Sequence, residues 1–112
     1  QSRFDFLWKI LVRNALGLII LTDNTRPDPL NDLSIYLDGF AEELDRIPCA
    51  IGVGRLEDGA SPSLDDYATL LESKGRFFPL IPVDVRERND VLMLIDTLLA
   101  QIEAGMLGED FE

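Results

Sequence analysis

Three short apolar runs, each stopped by polar residues and separated by amphipathic stretches, constrain this chain more than any other feature. Leu16-Gly17-Leu18-Ile19-Ile20-Leu21 stops at Thr22-Asp23-Asn24, and Cys49-Ala50-Ile51-Gly52-Val53 stops at Gly54-Arg55-Leu56-Glu57-Asp58-Gly59. A third run, from Phe77 to Val83, stops at Asp84. Continuous apolar runs of this length, without alternation, read as strands, and the first reads as buried on both faces. Pro79 and Pro82 remove backbone donors from the third, which predicts an edge strand or a short, irregular one.

Around these runs apolar residues recur at steps of three and four. Phe4, Leu7, Trp8, Leu11 and Ala15 predict a first helix from about Arg3 to Ala15. Asp28 supplies a cap and Pro29 suits a first helical position, ahead of a second helix whose inner face is Leu30, Leu33, Leu37, Phe40, Ala41 and Leu44. Ser63 and Asp66 resemble a capping box in front of Leu64, Tyr67, Ala68 and Leu71, a third helix ended near Gly75. Val91, Leu92, Ile95, Leu98, Leu99 and Ile102 predict a last helix from about Asn89 to Ala104, stopped by Gly105, with 106–112 as a frayed tail. The alternation is that of crossover units. It predicts an α/β fold of three layers, a parallel sheet with helices on both faces, as a single domain over residues 1–112.

Charge narrows the partners. Ten basic residues against 21 acidic ones give a net charge of -11, which repels a phosphate backbone and an anionic membrane surface alike, so neither nucleic acid nor membrane is expected. Cys49 is the only cysteine and there is no histidine, so no internal disulfide forms and the usual nitrogen ligands for zinc are missing. No metal site is expected, and a reducing, cytoplasmic setting fits. The run Leu16 to Leu21 is far shorter than the roughly 20 residues of a membrane span. The chain begins at Gln1, and its most apolar strand would be an edge in a sequential three-stranded order. Both points lead us to expect a partial domain whose further strands lie upstream. An unpaired first strand also predicts self-association.

The residues at the strand exits carry a resemblance. Gln1-Ser2-Arg3-Phe4 resembles the tail of the Gly-Gln-x-x-Phe/Tyr segment of switch II in Ras-like small GTPases, and the order of elements is kept over essentially the whole chain. Gly54-Arg55-Leu56-Glu57 falls where that family has its Asn/Thr-Lys-x-Asp base-recognition motif, and Asp84-Val85-Arg86 where it has Ser-Ala-Lys. The run Thr22 to Pro29 looks most like the bacterial gliding-motility (MglA-type) branch and its GTP-binding relatives, which are often partnered by roadblock-type regulators. The resemblance implies the C-terminal portion of a Ras-like, P-loop NTPase domain that lacks its N-terminal strands and phosphate loop. It implies a GTPase as the intact protein, with GTP or GDP and magnesium as its ligands.

Carried over, Gln1 would orient the attacking water. Arg55 would pack along the base, Glu57 would accept the guanine N–H groups, and the Val85 amide would meet the base oxygen. Gly54, Asp84 and Arg86 complete the candidate base site. Arginine for lysine and glutamate for aspartate are departures, and Gly54 has no side chain to tie the loops together, so guanine and adenine both stay open. Gly-x-x-x-x-Gly-Lys-Ser/Thr occurs nowhere, and Lys9 and Lys74, the only lysines, lack that glycine spacing. The chain alone is therefore expected neither to bind nor to hydrolyse GTP appreciably. Two alternatives stand beside this reading. One is a degenerate GTPase-like scaffold that binds a protein without turnover. The other is a response-regulator-like domain, suggested by Asp23 and Asp84 ending parallel strands.

Overall fold

A computed structural model describes residues 16–110, and the side chains of residues 16–105. The helix expected at Arg3–Ala15 and the candidate catalytic Gln1 lie outside the described residues. Three strands, β1 (Leu18–Asp23), β2 (Cys49–Gly54) and β3 (Leu80–Val83), form one parallel sheet in the order β1-β2-β3. Helices α1 (Pro29–Gly39), α2 (Ala41–Leu44), α3 (Leu64–Ser73) and α4 (Arg88–Asp110) make the connections and the outer layers.

The sheet divides the core in two. Ile20, Cys49, Ile51 and Val53 point to one face, where Leu33 and Leu37 of α1, Leu44 of α2, and Tyr67 and Leu71 of α3 cover them. Ala50 and Val83 point to the other, under Leu94 of α4. This is the expected α/β arrangement with helices on both faces. Burying a leucine or isoleucine of this kind stabilises by about 1.5–3 kcal/mol, so the larger cluster dominates.

Several local readings have their physical cause on view. The Asp28 carboxylate accepts from the Asn31 N–H at 3.2 Å and Pro29 opens α1. The Ser63 hydroxyl accepts from the Asp66 N–H and the Asp66 carboxylate from the Ser63 N–H, a closed capping box at the start of α3. Pro82 does sit on an edge strand, and β3 is shorter than the run Phe77 to Val83, because the ladder starts only where Leu80 pairs with Ile51.

Other readings need correction. The first strand is not buried on both faces among the described residues: Ile20 and Thr22 are buried, but Leu21 is 53% exposed. The strand walled in on both sides is β2, whose first five residues are all buried, because among the described residues it alone has a strand on each flank. The second helix is two helices, broken at Phe40, whose φ of -109° and ψ of 23° leave the helical region just after Gly39. The last helix does not stop at Gly105 but continues to Asp110. A glycine ends a helix when it takes a positive φ, as Gly75 does at 71°, whereas Gly105 stays helical. No helix among the described residues is long and apolar enough to cross a membrane.

Candidate functional site

Register places the site. Asp23 lies beside Gly54, and Gly54 beside Val83, so the three strands end in one row. The residues that follow, Asn24, Arg55 and Asp84, therefore leave the sheet side by side at its carboxyl edge, the position where open parallel sheets bind ligands. A groove of about 1190 Å³ opens there. Gly54, Arg55 and Glu57 line it from the exit of β2, and Asp84, Val85 and Arg86 from the exit of β3, so all six described candidates share one cavity. Gln1, the remaining candidate, lies outside the described residues.

Each charged group in the groove has a definable environment. Arg55 stands at φ 56°, a left-handed conformation uncommon outside glycine, and its guanidinium reaches toward the Asp23 carboxylate at 3.9 Å. Asp23 in turn accepts from both the hydroxyl and the N–H of Thr25, and these two bonds hold its carboxyl below the usual range. Arg26 pairs with Asp32, which raises the arginine further. At the third exit the side chain and the N–H of Arg86 hold Asp84 down to about 2. The Asp84 N–H donates to the Asp90 carboxylate of α4 at 2.9 Å, which ties this loop to the helix that follows it. Glu57 is exposed, and no arginine or lysine among the described residues pairs with it.

The charge balance decides what this groove suits. Five carboxylates (Asp23, Asp32, Glu57, Asp84, Asp90) face it against three guanidiniums (Arg26, Arg55, Arg86), and each guanidinium already has a carboxylate partner. Phosphate groups need unspent cations or a nest of N–H donors. Glu57, exposed and unpaired among the described residues, leaves an acceptor open to N–H donors, and Ile35, Tyr36 and Val85 add apolar surface to the groove. No cluster of three metal-ligating side chains converges among the described residues. Asp23 closes β1 and Asp84 follows β3, with β2 between them, so their backbones stand about 10 Å apart across the sheet.

Sequence reasoning missed the groove's α1 wall and the residue that braces the loop after β2. Asn24 donates through its Nδ2 to the Pro62 carbonyl at 3.2 Å, and its Oδ1 accepts from the Tyr67 hydroxyl at 2.7 Å. Tyr67 read only as part of an apolar face. It is fully buried, and a buried tyrosine hydroxyl requires a polar partner, which was the available signal. No protein-family model matches the chain, and no curated protein matches it.

Proposed function

We propose that these residues form the base-recognition half of a small GTP-binding switch protein of Ras-like, P-loop fold. The observation that supports this most is the shared register of the three strand exits, which gathers Gly54, Arg55, Glu57, Asp84, Val85 and Arg86 around one groove. In this reading the Glu57 carboxylate accepts from adjacent N–H groups of guanine, the aliphatic part of Arg55 packs along the ring, and the Val85 amide meets the base oxygen. The groove suits the base and ribose. It does not suit the phosphates or magnesium, which fall to a phosphate loop elsewhere in the intact protein, and no hydrolytic step runs through the described residues. A roadblock-type regulator is the partner this reading proposes.

The second reading is an interaction scaffold without turnover. It is favoured by one observation, that every arginine in the groove is already paired with a carboxylate. Calorimetric titration of GDP and of ADP, with magnesium, into the longest natural polypeptide containing these residues separates the two. Preferential GDP binding supports the switch and gives Glu57 its role. Equal binding retires guanine specificity, and binding of neither leaves the scaffold.

A further inference from the structure

The loop from Arg55 to Pro62 carries both Arg55 and Glu57, yet little of it is fixed by its own residues. Leu56 packs against the core, and the Ala60 N–H closes a turn on the Glu57 carbonyl at 3.0 Å. Gly54, where the loop begins, has no side chain to brace it. The brace comes from the neighbouring strand exit. The Asn24 N–H donates to the Gly54 carbonyl at 2.9 Å, holding the start of the loop. The Asn24 side-chain amide donates to the Pro62 carbonyl at its end, and the buried Tyr67 hydroxyl of α3 fixes which way that amide faces. One residue thus spends its backbone donor, its side-chain donor and its side-chain acceptor on the two ends of one loop and the helix beyond it.

We propose that Asn24 is the positioning residue of the Arg55–Glu57 loop, setting where the Glu57 carboxylate stands, and that Tyr67 orients it. The specificity consequence rests on the base-recognition reading above, while the positioning itself does not. The chemistry is selective about replacements. Aspartate at this position keeps an acceptor for Tyr67 but has no donor for Pro62, and sets a carboxylate against a carbonyl oxygen. Phenylalanine at position 67 removes only the hydroxyl, leaving the amide present but free to turn.

The test compares Asn24→Asp and Tyr67→Phe with Arg76→Ala, which loses the bonds to the Asp45 carboxylate and the Ala41 carbonyl without touching this network. Amide hydrogen exchange of residue 24 and of Ala60, whose N–H groups bond the Gly54 and Glu57 carbonyls, is read against global stability from urea unfolding. Loss of one ordinary hydrogen bond corresponds to a rise in loop exchange of about two- to tenfold. That rise is expected in Asn24→Asp and Tyr67→Phe beyond any change in the strands, and not in Arg76→Ala. Exchange that tracks global stability equally in all three variants overturns the positioning role. In the longest natural polypeptide the ratio of GDP to ADP affinity should move toward one in Asn24→Asp, whereas simple destabilisation lowers both affinities together. If the unsubstituted protein shows no base preference, the base reading fails, and the exchange result still decides whether Asn24 holds the loop.

Discussion

Arg86 turns back on Asp84, two residues before it, and closes a fork: Nε donates to Oδ1 at 3.0 Å and Nη2 to Oδ2 at 2.9 Å, while the Arg86 N–H adds a third bond to Oδ1 at 2.9 Å. The loop after β3 is thereby stiffened by its own residues, and a guanidinium that sequence alone offers to a ligand is already engaged. The pair is exposed, so its contribution to stability is small. Its electrostatic signature is nonetheless measurable.

Asp84 should titrate near 2, well below its ordinary value of 3.8. Because the folded value is the lower one, the stabilisation is present above the unfolded value and is lost as pH falls from about 3.8 toward 2. Carboxyl carbon shifts followed by NMR measure this directly. Arg86→Gln should return the midpoint toward the ordinary value, and an unchanged midpoint would show that the fork is not the cause.

Arg55→Gly should not destabilise the fold. A non-glycine residue at φ 56° bears a cost of about 1 kcal/mol that glycine avoids, partly offset by the greater freedom of glycine in the unfolded chain. The pair lost with Asp23 is long and exposed. Urea unfolding should therefore give equal or slightly greater stability. A clear loss would mean that Arg55 carries structural weight, and its strained backbone would then be no pointer to function.

Gly52→Ala should cost about 1–3 kcal/mol. A methyl there meets Leu21 Cδ2 at 2.9 Å, Leu94 Cδ2 at 3.0 Å and Val83 Cγ2 at 3.0 Å, three side chains from three different elements. Gly39→Ala, where a methyl meets nothing within 4 Å, is the matched control and should be close to neutral. Equal midpoints for the two variants would show that α4 yields without cost.

Cys49 should resist thiol reagents in the native protein. It is fully buried at the start of β2, and burial pushes its thiol up to about 12, so almost no thiolate exists at neutral pH. Labelling should follow the unfolding curve in urea. Rapid native labelling would reveal local opening of the strand that the core is built around.

Much of the fold is legible in the chain because the signals are local. The Asp28 and Ser63 caps and the three apolar runs all act within a few residues. The misreadings arise where neighbours decide. Leu16 to Leu21 and Cys49 to Val53 look alike as runs, yet among the described residues only β2 is flanked on both sides, and no periodicity reports that. The six described candidates of the site could be named from their places after the strands, but their pairing could not. That Arg86 turns to Asp84 and Arg55 toward Asp23, leaving Glu57 unpaired among the described residues, depends on loop conformations and not on residue type.

The sequence by itself determined the alternation of strands and helices, the parallel order and the acidic character of the surface, because hydrophobic period, capping chemistry and net charge are properties of the chain. Only the tertiary structure decided that Asp23, Gly54 and Val83 share a register, and that Asn24, 43 residues from Tyr67, ties the exit of β1 to α3. Those contacts join segments far apart in sequence, and they exist only once burial of the core has fixed the strands and helices that carry them.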